Sequence, residues 1–204
     1  GMFGADGIDL SELKGKRMIN LDSEEEGIFW TSCAGGARVE CVLPLKRTEM
    51  QGVIVDLSVE GLLGGHSGAE IHKERGNSNA LMGRILWAVS HQMEIGICEL
   101  QGGLADNAIP RQTKAVLVVD EATLEEVIAV ESVAIAGELA SKDPDFRVLL
   151  SEEEAVNASD MYYCVAGEEA AKCAAFLTAL PNGVQAMSAD IPGLVETSLN
   201  MGLL

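Results

Sequence analysis

Between Val53 and Leu150 the hydrophobic period changes from two to about 3.6 and back in one order that few architectures accept. Val53, Val55, Leu57 and Val59 alternate with Ile54, Asp56, Ser58 and Glu60, the pattern of a half-buried strand. Asn77 to Ser90 then carries Leu81, Ile85 and Ala88 at helical spacing, widened by Met82, Leu86 and Val89, with Asn77 or Ser78 as the cap. Glu94 to Gln101 reads as a loose strand and Lys114 to Asp120 as a β-branched one. Thr123-Leu124-Glu125-Glu126 has the spacing of a capping box. It opens a helix bearing Leu124, Val127, Ile128, Ile135 and Leu139, which Asp143-Pro144 stops. Phe146 to Leu150 is the last strand. Strand, helix, strand, strand, helix, strand is the split βαβ order of ferredoxin-like domains, with two helices on one face of a four-stranded antiparallel sheet. The chain is expected to be α+β.

The flanks are less regular. Met2 to Gly15 reads as a connecting loop, and Arg17 to Leu21 as a brief apolar run that ends in Asp22-Ser23-Glu24-Glu25-Glu26. Ile28 to Cys33 and Ala37 to Leu45 are predicted as two strands joined through Gly35-Gly36, with Lys46 to Gly52 a polar turn. Met161 to Val165 and Glu168 to Leu180 begin a second βα unit that stays incomplete. Val195 to Leu204 reads as a strand without a partner, and an open edge invites another chain, so self-association is expected.

The balance of 32 acidic against 14 basic residues gives a net charge of −18. That charge excludes nucleic-acid backbones and anionic membrane surfaces, both of which need clustered Lys and Arg. No apolar run approaches a membrane span, and a cytoplasmic location is expected. Cys33, Cys41, Cys98, Cys164 and Cys173 contain no Cys-x-x-Cys pair and read as free, mostly buried thiols in a reducing compartment.

For chemistry, the stretch Gly61-Leu62-Leu63-Gly64-Gly65-His66-Ser67-Gly68 presents one histidine among glycines. A nucleophilic serine is dismissed, because Ala69 stands where G-x-S-x-G needs its second glycine. No dinucleotide fingerprint, phosphate loop or His-Glu-x-x-His is present. His72 and His91 lie in polar surroundings and are given no role. The acidic run at Asp22 to Glu26 reads equally as a solvated loop, a helix start, or metal ligands beyond a short strand. Residue types alone stop at an exposed His, an acidic cluster and a Gly-Gly…Asn…Pro loop.

Resemblance goes further. Asn20-Leu21-Asp22-Ser23-Glu24-Glu25-Glu26-Gly27, Gly64-Gly65-His66-Ser67-Gly68 and Arg75-Gly76-Asn77 stand in the order and rough spacing of one family. So do Gly102-Gly103…Asn107-Ala108-Ile109-Pro110-Arg111 and Glu196-Thr197-Ser198-Leu199-Asn200-Met201-Gly202. Over nearly its whole length the chain resembles the middle of an aminoacyl-histidine dipeptidase (Xaa-His dipeptidase, carnosinase-like). These enzymes belong to the dinuclear-zinc peptidase superfamily with carboxypeptidase G and aminoacylase.

The resemblance implies that Asp22 is a metal ligand for one of two zinc ions in the parent enzyme. It implies that His66 is catalytic, reaching the substrate carbonyl or its oxyanion, often across a homodimer. Asn107 would bind the dipeptide's carboxylate or backbone, and Asn77 would cap a helix. The family's His-x-Asp pair, bridging aspartate, Glu-Glu pair and late histidine ligand fall outside the matched stretch, and Glu24-Glu25 follow the Asp22 motif instead of preceding it. One carboxylate cannot hold a catalytic zinc, which takes about three protein ligands. The implied organisation is residues 1–26 as the tail of a catalytic domain and 27–204 as a lid or dimerisation domain. Within the latter, 53–150 would be the ferredoxin-like unit and 160–204 the incomplete second one. Such a fragment would be inactive alone. The alternative is a stand-alone ferredoxin-like binding or dimerisation module without catalysis.

Overall fold

The computed structural model describes residues 7–19, 26–29, 33–119, 124–152 and 159–204. The chain divides into two compact units, Gly1–Val39 and Glu40–Leu204. In the first, the regular element among the described residues is a 3-10 turn at Leu10–Glu12, capped by Asp9 through a 2.9 Å bond from the Ser11 N–H. Asp22 and the capping-box residue Thr123 lie outside the described residues.

The second unit is built on a six-stranded antiparallel sheet. Its strands are β1 (Thr48–Gln51), β2 (Val53–Glu60), β4 (Ile95–Gly102), β6 (Thr113–Val119), β7 (Arg147–Glu152) and β8 (Met161–Ala166), in the order β1-β8-β4-β6-β2-β7. Three helices complete it: α1 (Ser78–Ser90), α2 (Leu124–Leu139) and α3 (Glu168–Ala179). The four strands β4-β6-β2-β7, with α1 and α2 as crossovers, are the ferredoxin-like unit read from the sequence. Asn77 is the cap of α1, accepting from the Asn79 and Ala80 N–H groups.

Period two decides which face of β2 is buried. Val53, Val55, Leu57 and Val59 lie in the core, and Leu57 stands opposite Ala115 on one side and Leu150 on the other. Met82, Ile85, Leu86 and Val89 of α1 and Ile128 and Ile135 of α2 complete that core. Arg84 ties α1 to α2 by pairing with Glu131 and, at 2.7 Å, with Glu138.

The second βα unit is present as β8 and α3, and it is not a separate layer. β8 pairs with the outer edge of β4, while α3 packs beside α1. Close helix approach depends on Gly83, where a Cβ would lie 2.6 Å from the Leu177 Cβ. β9 (Gly183–Met187) and β10 (Val195–Leu199) pair with each other, so the strand expected to be left open at Val195–Leu204 has a partner.

The flank before β2 differs from expectation. Among the described residues 33–47 there is no strand, and the predicted polar turn contains β1, paired with β8 through Thr48↔Cys164 and Gln51↔Met161. Val39, on the alternating face, finds no strand to pair with, and its side chain is exposed. For the same reason Cys33 and Cys41 are exposed, whereas Cys164 alone is buried. Burial pushes the Cys164 thiol up to about 11, and the neighbouring Cys98 adds to the rise.

Leu117 is fully buried at the centre of the sheet. Leu117→Ala is expected to cost about 2–5 kcal/mol, read as a lower denaturant midpoint at unchanged slope.

Candidate functional site

β2 ends at Glu60 and the chain enters the histidine loop. A single carboxylate closes that loop at both ends. Asp143, 1% exposed, accepts from the Leu63 N–H at 2.8 Å and from the Gly76 N–H at 2.7 Å. The sequence shows Asp143 only as a helix stop before Pro144; its clamp on a loop far away in the chain carries no local signal.

Inside the loop, β3 (Gly65–His66) pairs antiparallel with β5 (Ala108–Ile109), opposing His66 to Ala108 and Gly65 to Ile109. The Ser67 N–H donates to the Asn107 carbonyl at 2.9 Å. This two-residue ladder brings His66 and Asn107, far apart in sequence, side by side, and both are exposed. Gly64, at φ +62°, turns the chain into the ladder, and the Arg111 side chain lies across the place its Cβ would fill.

The imidazole is oriented by its own loop. Its Nδ1 accepts from the Gly68 N–H at 3.0 Å and the Ala69 N–H at 3.1 Å. With Nδ1 accepting, the proton of the neutral ring is on Nε2, which is left as a donor. A ring in this tautomer offers an N–H to an oxygen, and no lone pair to a metal.

Glu70 holds the backbone of the same residue. Its Oε2 accepts from the His66 N–H at 2.9 Å, while Oε1 takes Lys73 Nζ at 2.6 Å and lies 3.4 Å from Arg75 Nη1. Arg75 also donates to the Gly64 carbonyl. The Lys73 bond, followed by the His66 N–H, holds the Glu70 carboxyl down to about 2.

Asparagines hold the other strand of the ladder. Asn200 Nδ2 donates to the carbonyls of Asp106 at 3.2 Å and Ala108 at 2.8 Å, one on each side of Asn107. Asn77 caps α1 through Oδ1 and uses Nδ2 on Asn182 Oδ1 at 2.9 Å, with Asn200 Oδ1 and the Met201 carbonyl at 3.3 and 3.2 Å. Asn79, fully buried, donates to the Met201 carbonyl at 3.0 Å and accepts from Thr113 Oγ1 at 2.6 Å. The expected capping role of Asn77 is thus half of what it does. Asn79, Asn182 and Asn200 had no assigned role, because their partners lie up to 123 residues away.

His72 is exposed, and His91 donates from Nδ1 to the Trp87 carbonyl at 2.8 Å. Among the described residues no three His, Cys, Asp or Glu side chains gather as metal ligands. What the arrangement can do is hydrogen-bond an oxygen, from an exposed His66 whose ring is held through Nδ1.

Residues 57–142 match the peptidase dimerisation domain. Over its whole length the chain is 35% identical to the cytosol non-specific dipeptidase of Escherichia coli (strain K12), of which it covers 42%. Its structure matches that of aminoacylhistidine dipeptidase from Vibrio alginolyticus with a TM-score of 0.73 at 33% identity, covering 100% of this chain and 41% of the other. The likeness expected from the motifs is therefore present in sequence and in fold. The chain spans about two fifths of the length of these relatives.

Glu70 sets a pH window for the histidine loop. Its folded value of about 2 lies below the ordinary 4.5, so the folded state binds fewer protons between those values. The loop's stabilisation is complete above pH 4.5 and is lost as pH falls toward 2. The His66 amide proton resonance, whose acceptor is this carboxylate, should titrate with a midpoint near 2. It should not titrate there in Glu70→Gln, and a wild-type midpoint of about 4 would remove the proposed hold.

Proposed function

We propose that this chain is the lid and dimerisation part of a zinc-dependent dipeptidase that hydrolyses Xaa-His dipeptides, inactive on its own. Residues 1–26 are read as the tail of the catalytic domain and 27–204 as the lid. The observation that carries the reading is the ladder that brings the backbone of His66, whose ring is held through Nδ1, next to Asn107. A donor aimed at a carbonyl oxygen stabilises charge that develops only as the peptide bond is attacked. Asn107 supplies an amide for the dipeptide's carboxylate or backbone.

Asp22 offers one carboxylate, and the described residues add no ligand cluster. Zinc is accordingly proposed for the whole enzyme, where its chemistry is polarisation of the carbonyl and activation of water. A cytoplasmic location agrees with the Escherichia coli relative, a cytosol dipeptidase. No helix of the described residues is long and apolar enough to cross a membrane. The net charge of −18 speaks against nucleic acid as a partner.

One assay on glycyl-histidine tests the reading, comparing the full-length enzyme, its His66→Ala variant and the isolated chain. Loss of one oxyanion donor should lower kcat about 10²- to 10³-fold with little change in KM. The isolated chain should show neither turnover nor stoichiometric zinc. An unchanged kcat in the variant would end the role of His66, and turnover by the isolated chain would favour a self-contained site.

A homodimer belongs to the same proposal. The matched domain is named for dimerisation, β7 is one of the two outer strands of the sheet, and Val130 and Val133 stand exposed on α2 beside it. Sedimentation velocity should show a dimer at micromolar concentration. A monomer at high concentration would count against it.

A further inference from the structure

The sheet face turned away from the core carries a group that the histidine loop does not use. Along β4, Ile95 and Ile97 enter the core, so Gly96 lies on the opposite face. Gly96 is buried and has no side chain of its own, and its neighbours take the space. A Cβ there would collide with the Cys164 Sγ, and it would lie 3.0 Å from the Met50 Sδ and 3.3 Å from the Val118 Cβ. Two sulfurs from two other strands, β8 and β1, thus meet over one glycine of β4.

Cys98 brings a third sulfur. β4 pairs Gly96 with Ala166 and Ile97 with Val165 of β8, and one further step of that antiparallel register sets Cys98 opposite Cys164. Against β6 the register of β4 shifts between Ile97 and Glu99, which makes Cys98 the extra residue of a bulge, a device that re-aims a side chain. The Cys98 and Cys164 thiols lie within each other's hydrogen-bonding reach. Arg47 closes the end of this ladder, donating to the Cys98 carbonyl at 2.9 Å and the Tyr163 carbonyl at 3.3 Å. Its charge favours the thiolate of both cysteines, while burial, the larger influence, holds both thiols above their usual range. Val118 and Cys164 are fully buried, whereas Met50 and Cys98 are half-buried, so the group has a dry floor and an open side.

We propose that Met50, Cys98 and Cys164 form a three-sulfur binding site for a soft monovalent cation of the copper(I) class. Thiolates and a thioether are the donors that such a cation selects. Zinc prefers nitrogen, thiolate and carboxylate ligands, and among the described residues no three His, Cys, Asp or Glu side chains gather. Binding is an exchange without change of oxidation state: the cation enters, each thiol releases its proton to solvent, and the Met50 sulfur donates a lone pair. None of the three residues belongs to the histidine loop, and the site is independent of the dipeptidase reading.

The test is an anaerobic titration of the reduced 204-residue chain with copper(I) buffered by bicinchoninate. It uses a Cys33→Ser, Cys41→Ser background, which removes the two exposed thiols. One equivalent of copper(I) should leave the chelator, and the Met50 methyl resonance should shift as it does. Cys98→Ser should weaken binding about 100-fold. Met50→Leu, which removes the sulfur at nearly constant volume, should weaken it about 10-fold with an unaltered melting temperature of the metal-free chain. Cys173→Ser, on α3, should change nothing. A chain that leaves copper(I) with the chelator overturns the proposal, and so does one that binds equally well without the Cys98 and Met50 sulfurs. If the reduced chain takes no copper(I) but peroxide joins Cys98 to Cys164, the pair is a thiol–disulfide couple and the metal site falls.

Discussion

The site depends on one buried carboxylate. Asp143 accepts two backbone N–H groups, from Leu63 and from Gly76, and so pins the entry and the exit of the histidine loop to the end of α2. A loop rich in glycine loses much backbone entropy on ordering, and its glycines contribute no side chain to the core. Its order must come from hydrogen bonds at fixed points. Both ends held by one residue turn the stretch between them into a closed unit, inside which two ladder residues are enough to set the position of His66. Removing that carboxylate would leave the buried Gly76 N–H unsatisfied, at a cost of about 1–3 kcal/mol, and would free the exit of the loop.

A second set of fixed points comes from neutral amides. Asn77, Asn79, Asn182 and Asn200 join the cap of α1 to the segment around Met201 and to the carbonyls flanking Asn107. Amides suit this task because each offers donors and acceptors in one plane without the desolvation cost of a charge. Asn77 shows the economy of it: one oxygen caps a helix while the nitrogen of the same group anchors a distant segment. The helix that forms the core of the domain and the strand that carries Asn107 are therefore positioned by the same residues.

The ferredoxin-like core was legible in the sequence because each of its elements is long and periodic. Val53 to Val59 repeats every two residues, and the α1 and α2 stretches repeat at helical spacing, so burial of one face decides the structure. β1 was not legible: Thr48-Glu49-Met50-Gln51 has no apolar period and is a strand because β8 offers it an edge. The converse holds for residues 37–45, where alternation exists without a partner. At the site, glycine around His66 and the Asn107–Pro110 loop could be singled out, since unusual residues mark unusual backbone. Their meeting could not, because a two-residue ladder has no hydrophobic period. The resemblance gave the two residues neighbouring roles, catalytic for His66 and substrate-binding for Asn107, and the ladder sets their backbones side by side.

Charge and burial divide the work around His66. Lys73, Arg75 and Glu70 surround the loop in partly exposed positions, where water and salt screen them, so they trim its conformation more than they create it. The Asp143 clamp and the asparagine contacts are buried or partly buried, where an unmade hydrogen bond is costly, so they decide whether the loop has one conformation. Orientation of the imidazole follows from neither set. It comes from two N–H groups of its own turn, Gly68 and Ala69, which fix the tautomer from within. Those two donors can remain aimed at Nδ1 only while the turn keeps its shape, and the turn keeps its shape because the distant residues Asp143 and Asn200 hold the strands on which it stands.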